Sequence, residues 1–186
     1  MRVITGEYKG RKLETPVGRD IRPTSDKVKE SIFNILMNDT WGRVFCDLFC
    51  GTGGLGIEAL SRGAGKCYFC DSSRDSIRLT RQNITHCGAE EKAVVFQSDY
   101  SRALKRIREK VDVFLLDPPY HDGIYVDCIT QIQALDLLAD DGIILAEHDA
   151  RSALPEEIGE LERVRVFRYG KTSLSMYRRK EEQAAE

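Results

Sequence analysis

From residue 43 onward, short apolar runs alternate with helix-like segments, and this alternation restricts the fold more than any other feature of the chain. The runs predict strands, and the segments between them predict helices. Strands that are almost wholly apolar and separated by helices indicate a parallel sheet covered on both faces. The predicted strands are residues 44–49, 67–70, 93–97, 111–116 and 143–147, and the predicted helices are residues 55–62, 73–87, 101–110 and 125–138.

Two further predicted strands, residues 163–169 and 172–179, are separated only by Gly170 and Lys171. Such a short connection forces the two strands to pair antiparallel. We therefore expect an α/β fold in which a C-terminal antiparallel hairpin follows five parallel strands.

The first forty residues precede this alternation. Residues 3–5 and 12–14 flank a glycine-containing turn and predict a small hairpin. A helix follows, because Val28, Ile32 and Leu36 share one face and Thr24 or Ser25 can cap its start. We expect three parts, which are an N-terminal hairpin-helix extension (residues 1–40), the main domain (residues 41–180) and a frayed tail (residues 181–186).

The composition predicts an ordinary soluble protein in a reducing, cytoplasmic setting. The chain has 186 residues, 41% of them hydrophobic and 31% charged, which suits one globular domain rather than a disordered or fibrous protein. We expect neither a signal peptide nor a membrane span, because no apolar run approaches the ~18 residues of a spanning helix. Cys67 and Cys70 have a metal-pair spacing, but opposite faces of a strand would carry them, so we expect no metal site.

A glycine-rich loop follows the first predicted strand, in the segment Asp47-Leu48-Phe49-Cys50-Gly51-Thr52-Gly53-Gly54-Leu55-Gly56. Gly51, Gly53 and Gly56 fit the dinucleotide-binding spacing, and Asp71 lies 20 residues after Gly51, where a carboxylate can hold ribose hydroxyls. This motif alone leaves open a nicotinamide cofactor or another adenosine-containing cofactor.

A second motif, Leu115-Leu116-Asp117-Pro118-Pro119-Tyr120, ends the fourth predicted strand. Two prolines stop the strand and leave carbonyl groups without N–H partners beside them. Asp117 places a carboxylate next to a fixed carbonyl, and Tyr120 adds an aromatic ring. These groups suit a planar amino group, with two acceptors for its two hydrogens and a ring on which its base can stack.

Together these motifs resemble S-adenosylmethionine-dependent methyltransferases that modify exocyclic amines of nucleobases. The wider pattern resembles the bacterial 16S rRNA guanine-N2 methyltransferases over nearly the whole chain, to about residue 179. The matching segments are Met1-Arg2-Val3-Ile4, Gly10-Arg11, Arg22-Pro23-Thr24, residues 29–36, Asp47-Leu48-Phe49, residues 58–64 and Tyr169-Gly170-Lys171-Thr172. The resemblance implies a class I methyltransferase (Rossmann-like) fold, with S-adenosyl-L-methionine as methyl donor and S-adenosyl-L-homocysteine as product.

The resemblance also implies roles for individual residues. The cofactor would be held by Asp47, Phe49, Gly51, Thr52, Gly53, Gly54, Asp71, Ser72, Asp99 and Tyr100. The target base would be held by the catalytic set Asp117, Pro118, Pro119 and Tyr120. Asp71 would take the ribose hydroxyls and Asp99 the adenine amine. Cys50 and Ser73 depart from the residues common in the family, but neither change removes a chemical requirement.

The net charge of −2 conceals two basic ends. Residues 1–29 carry 8 basic and 4 acidic side chains, residues 163–180 carry 7 basic and no acidic ones, and residues 30–162 carry a net −10. Two basic segments that flank one catalytic domain predict contact with RNA phosphates. The RNA-binding candidates are Arg11, Arg22, Thr24, Lys27 and Lys171.

We expect the partner to be 16S rRNA, within assembling or assembled small ribosomal subunits, and the enzyme to act as a monomer. Three alternatives stay open. An adenine-N6 or cytosine-N4 methyltransferase would use the same Asp117 motif. A nicotinamide-dependent dehydrogenase would explain the glycine loop only. A non-catalytic RNA-binding protein would explain the charge only.

Overall fold

Residues 1–16, 26–119 and 123–181 are described by a computed structural model, and within these ranges the strands form one eight-stranded sheet in the order β3-β2-β1-β4-β5-β8-β7-β6. Strands β1 to β5 are parallel, whereas β6, β7 and β8 pair antiparallel. The strands are β1 (Val44–Asp47), β2 (Lys66–Asp71), β3 (Ala93–Gln97), β4 (Val111–Leu116), β5 (Leu138–Asp149), β6 (Glu157–Ile158), β7 (Leu161–Tyr169) and β8 (Thr172–Arg179). The predicted α/β architecture is therefore confirmed.

Helices cover both faces of the sheet, as the apolar strands require. They are α1 (Asp26–Ile35), α2 (Gly54–Ser61), α3 (Arg74–Cys87), α4 (Tyr100–Leu104) and α5 (Ile124–Ala134). Buried side chains of α1, α2 and α3 form one apolar cluster with one sheet face, and those of α4 and α5 form a second cluster with the other face. Cys67 belongs to the first cluster and Cys70 to the second, so the prediction that they point to opposite faces is confirmed.

Two predicted helices were too long. The helix predicted at residues 101–110 ends at Leu104, where i to i+3 bonds from Arg106 and Ile107 close the turn and Ile107 is buried. The helix predicted at residues 125–138 ends at Ala134, because Leu138 pairs with Val111 and already belongs to β5.

The N-terminal arm, residues 1–16, reverses direction as predicted, with an isolated antiparallel bridge between Arg2 and Lys12. Its apolar side chains Val3 and Leu13 are buried in the cluster of the α1–α2 face. The predicted cap residues Thr24 and Ser25 lie outside the described residues. The arm therefore packs against the surface that carries the glycine-rich segment.

Candidate active site

Carboxylates lie at the ends of neighbouring strands along one edge of the sheet. Asp47 ends β1, Asp71 ends β2, and Asp117 directly follows β4. Because β1, β2 and β4 are parallel, their carboxyl ends meet at one edge, and open α/β sheets bind ligands at that edge. The sheet thus brings the two sequence motifs together.

The glycine loop, residues 50–54, connects β1 to α2 at this edge. Gly51 and Gly53 have φ values of 55° and 82°, a left-handed conformation that favours glycine. The Gly53 amide donates to the Cys50 carbonyl at 2.7 Å, which closes the turn. No atom lies within 4 Å of the position that a Cβ on Gly51 would occupy, so space for a ligand remains beside this backbone.

Side chains from β2 and α3 hold the loop in place. Asp71 accepts hydrogen bonds from the Gly51 amide at 2.9 Å and from the Ser73 amide at 2.8 Å. The Thr80 hydroxyl donates to the Gly51 carbonyl at 2.9 Å, and the buried Asn83 amide donates to the Thr52 carbonyl at 2.9 Å. Each Asp71 oxygen keeps a second lone pair, so the carboxylate can still accept a ligand hydroxyl.

Asp47 lies beneath the loop and is only 2% exposed. Its Oδ2 accepts a hydrogen bond from the Gly56 amide at 3.1 Å, which ties β1 to α2. Burial raises the pKa of Asp47 to about 7, with smaller contributions from the charges of Asp117 and Asp71, and the Gly56 hydrogen bond opposes the rise. Near neutral pH this carboxyl group is therefore poised between its neutral and charged forms.

Further predicted cofactor residues lie between β1 and α4. Asp99 is exposed and caps α4 by accepting from the Arg102 amide at 3.0 Å. The rings of Phe49 and Tyr100 pack with centroids 5.6 Å apart. The Tyr100 hydroxyl donates to Asp127 at 2.5 Å, and this bond, together with burial, raises the pKa of Tyr100.

The other predicted cofactor residues border the same loop. Ser72 is exposed in the turn after Asp71. Gly54 begins α2 against the Met1 side chain, because a Cβ on Gly54 would approach the Met1 sulfur to 2.3 Å. The N-terminal arm therefore closes one side of the loop.

The predicted base-holding residues follow β4. Asp117 and Pro119 are exposed, whereas Pro118 is buried. Tyr120 lies outside the described residues. Asp117 borders a small cavity together with Leu55 of α2, the helix that follows the glycine loop, and Glu147 of β5.

The predicted RNA-binding residues Arg11, Lys27 and Lys171 are all exposed, on the arm, on α1 and in the β7–β8 turn respectively. Arg22 and Thr24 lie outside the described residues. Among the described residues, no helix could cross a membrane and no group of His, Cys, Asp or Glu side chains could hold a metal ion.

Four polar residues at or near the site were missed in the sequence. Thr80 and Asn83 interrupt the buried stripe of α3, and Glu58 is wholly buried in α2. Glu147 comes near the end of β5, as Asp47 and Asp71 end β1 and β2. The signal for the first three was a polar residue in an apolar helical stripe, and for Glu147 an acidic residue near a strand end.

Comparison with known proteins gives consistent matches over the whole chain. The family model described as "Conserved hypothetical protein 95" matches residues 1–178. The Bacillus subtilis (strain 168) protein named "Putative rRNA methyltransferase YlbH" is 41% identical over 183 residues, which cover 97% of this chain and 100% of the relative. The Escherichia coli (strain K12) "Ribosomal RNA small subunit methyltransferase D" is 31% identical, over 83% of this chain and 78% of the relative.

A solved structure shares the architecture. The Escherichia coli protein titled "Putative methyltransferase yhhF" superposes with a TM-score of 0.87 and 27% identity, covering 97% of this chain and 98% of its own. The predicted class I methyltransferase (Rossmann-like) fold is therefore confirmed.

Proposed function

This chain belongs to the conserved hypothetical protein 95 family, and from that premise we propose that it transfers a methyl group from S-adenosyl-L-methionine to the N2 amine of a guanine in 16S rRNA. The names of its relatives in Bacillus subtilis and Escherichia coli support rRNA methylation. The base and the atom are proposed from the resemblance to the guanine-N2 methyltransferases, and the residues at the sheet edge suit an exocyclic amine of this kind.

The juxtaposition of the Asp117 motif with the glycine loop carries this proposal. Asp47 pairs with Leu115 in the sheet, so Asp117 lies two residues beyond it on the neighbouring strand. The charge of Asp117 raises the pKa of Asp47, which lies beneath the loop. A group held by Asp117 and Pro118 would therefore meet a cofactor held by the loop.

The groups around the loop fit S-adenosyl-L-methionine. The left-handed Gly51 leaves open space for a ligand, and Asp71 and Asp99 offer carboxylate oxygens for ribose hydroxyls and for an adenine amine. Asp47 adds negative charge for a cationic ligand once it is ionised. The bound cofactor would supply an already activated methyl group on its sulfonium.

Asp117 and the Pro118 carbonyl would act on the acceptor amine. A guanine amine is a poor nucleophile because its lone pair is delocalised into the ring. Hydrogen bonds from the amine to these two acceptors favour a pyramidal nitrogen and strengthen as positive charge develops on it, so they stabilise the transition state more than the ground state. Asp117 can then accept the proton that the methylated nitrogen loses.

Basic surface at both ends of the chain supports an RNA substrate. Arg11, Lys27 and Lys171 are exposed and can contact phosphates. We propose that the target is a single guanine in assembling or assembled small ribosomal subunits, turned out of its surroundings to reach Asp117. The enzyme would act as a monomer in the cytoplasm, which light scattering and cell fractionation would test.

A methyl-transfer assay on bare 16S rRNA and on small subunits that lack the modification tests this function. Nucleoside mass spectrometry should identify N2-methylguanosine. Asp117→Ala should lower the rate by about 100-fold or more, because the acceptor that strengthens in the transition state is lost. Asp140→Ala is the matched control, since Asp140 is exposed near the opposite end of β5.

Three outcomes would contradict the proposal or a part of it. N6-methyladenosine or N4-methylcytidine as the product would replace guanine as the substrate. Calorimetric binding of NADH without binding of S-adenosyl-L-methionine would replace the reaction class. Unchanged turnover by Asp117→Ala would remove the role assigned to this carboxylate.

A further inference from the structure

Glu147 lies on β5 in the position that Asp117 occupies after β4. Leu115 pairs with Leu145 and Leu116 pairs with Ala146 in parallel register. The residues that follow on the two strands, Asp117 and Glu147, are therefore neighbours, at about the 4.8 Å spacing of adjacent strands.

The side chains of Asp117 and Glu147 also share one face of the sheet. Leu115 and Leu145 both belong to the apolar cluster of the α1–α2 face, and alternation along each strand returns Asp117 and Glu147 to that face. Both residues border a cavity of about 10 Å³ together with Ile32 of α1. Two carboxylates thus lie side by side on the face of the sheet that meets α1 and α2, next to where the proposed function puts the acceptor amine.

A buried tyrosine fixes the backbone at Glu147. The Tyr125 hydroxyl donates to the Glu147 carbonyl at 2.6 Å, and Tyr125 is only 2% exposed. Burial raises the pKa of Tyr125, and the charges of Asp117 and Glu147 add to the rise. The hydroxyl therefore stays protonated and keeps donating, which holds Glu147 in place beside Asp117.

The hydrogen-bonding groups on the edge of each base indicate a role for the Glu147 carboxylate. Guanine presents an N1–H donor next to its N2 amine, whereas adenine and cytosine present an unprotonated ring nitrogen next to theirs. A carboxylate beside the amine acceptor can accept the guanine N1–H, but it would face the lone pair of either other base. Sites built to use such a hydrogen bond discriminate strongly against analogues that lack the donor.

We propose that Glu147 determines specificity for guanine by accepting its N1–H while Asp117 accepts the N2 amine. This inference rests on the proposed function and names the feature of the base that the same site recognises. The reaction itself does not require Glu147, because the amine acceptors are Asp117 and the Pro118 carbonyl.

The test compares guanosine with 2,6-diaminopurine riboside at the methylated position of an otherwise identical rRNA substrate. Both carry the 2-amino group, but only guanine carries N1–H. We expect the wild-type protein to prefer guanosine by at least 100-fold in kcat/KM. Glu147→Gln should reduce this preference at least tenfold, because the glutamine amide can donate to the bare N1 of diaminopurine.

Glu157→Gln is the matched control, since Glu157 is exposed on β6 and pairs with Lys180. A merely structural role for Glu147 would lower both rates equally and leave the preference unchanged, and that result would overturn the proposal. If Glu147→Gln folds poorly, Glu147→Ala should also lose most of the preference for guanosine, and full retention of that preference would overturn the proposal. If the wild-type protein methylates neither purine but still methylates another base, the proposed function fails, and with it this inference.

Discussion

The N-terminal arm and the C-terminal hairpin both carry excess positive charge, but they are attached to the fold in opposite ways. The arm is bonded through its backbone to buried side chains of α2 and α3. The hairpin, β7 with β8, extends the sheet, and Arg165, Arg168 and Lys171 are exposed on it. Similar charge therefore belongs to one region that is bonded to the cofactor loop and to another whose exposed charges offer a docking surface.

Buried polar groups make the arm part of the core. Glu58 is fully buried and accepts from the amides of Ile4 at 2.9 Å and Thr5 at 3.0 Å. Its carboxylate also lies 3.3 Å from the amine of Lys29, which is itself 1% exposed. Burial lowers the pKa of Lys29, and the charge and hydrogen bond of Glu58 oppose this shift.

The arm is also joined to the glycine loop through one side chain. Asn83 accepts from the Glu14 amide at 2.7 Å and donates to the Glu14 carbonyl at 3.1 Å. The same amide group donates to the Thr52 carbonyl of the loop at 2.9 Å. A change in the arm can therefore reach the cofactor site through Asn83.

The outer strand of the hairpin, β7, is attached less closely than β8, whose Leu174 and Tyr177 side chains are wholly buried. Val164 and Val166 are 45% and 38% exposed, and Arg165 and Arg168 are exposed on β7. Strand β6 covers β7 only at its first two residues. The exposed arginines of β7 can therefore contact RNA without altering the packing of the site.

The largest expected effect is the loss of the Glu58 carboxylate. Glu58→Ala should lower the free energy of unfolding by about 3–5 kcal/mol, because Lys29 is left as an uncompensated buried charge. Urea denaturation measures the loss. Glu160→Ala is the control near the hairpin, since its ion pair with Arg179 is exposed and should contribute little. Equal losses of stability in both variants would show that the arm and the hairpin do not differ in how they are attached to the fold.

A second prediction concerns the connection between arm and loop. Asn83→Ala should cost about 1–3 kcal/mol of stability, because it leaves the buried Thr52 carbonyl and the part-buried Glu14 backbone groups without this partner. It should also weaken S-adenosyl-L-methionine binding, measured by calorimetry. Gln82→Ala, at the neighbouring exposed position, should change neither quantity. Unaltered cofactor affinity in a folded Asn83→Ala protein would show that the arm does not influence the loop.

The two regions should also differ in their response to pH. Burial raises the pKa of Asp47 to about 7, so this carboxyl is neutral below that pH and charged above it. A cationic cofactor favours the charged form. Cofactor affinity should therefore rise up to about fivefold from pH 6 to 7 and up to about tenfold in all by pH 8, above which it should level off.

Asp47→Asn should flatten this dependence in calorimetric titrations between pH 6 and 8. The hairpin contains no histidine, which is the side chain that ordinarily changes charge over this range, so its contribution to RNA binding should not change. A pH dependence that survives in Asp47→Asn would assign the titration to another group.

The hairpin itself should affect RNA binding alone. Removing both Arg165 and Arg168 by alanine substitution should weaken binding to small ribosomal subunits by about tenfold and reduce the dependence on log salt concentration by about 2. Thermal unfolding should stay nearly unchanged, because both side chains are exposed. The control is the double alanine variant of Lys105 and Arg108, which are exposed beyond α4. Equal losses in the two double variants would indicate that total charge, and not the hairpin, governs binding.

The sequence predicted the features that depend on local patterns of residues, but not those that depend on contacts between distant segments. Strands β3, β4 and β8 have the predicted bounds, because apolar runs end at clear turns. The glycine loop and Asp117 were predictable because each directly follows a strand. The start of β5 was not, since Ala139-Asp140-Asp141-Gly142 resembles a loop, and β5 extends across it because Leu138 pairs with Val111 and Ile143 with Val113.

The groups that attach the arm were beyond prediction for a different reason. Glu58 bonds to Ile4 and Asn83 bonds to Glu14, across 54 and 69 residues of chain. Local periodicity marks such residues only as polar positions within buried helical stripes. Their partners in the arm are known only once the fold brings the arm against α2 and α3. The net charge of each segment therefore did not distinguish the arm from the hairpin.

The smallest expected effect separates charge from attachment within the arm. Arg11 is exposed, donates to the His86 carbonyl at 3.1 Å and lies over the Tyr8 ring at 5.4 Å. Arg11→Ala should weaken subunit binding about twofold to fivefold, because one phosphate contact is lost. Arg11→Lys should recover most of that loss. Cofactor affinity should not change in either variant, because Arg11 makes no bond to Asn83 or the glycine loop among the described contacts. A parallel loss of cofactor affinity would instead show that the surface charge of the arm, and not only its buried attachment, acts on the loop.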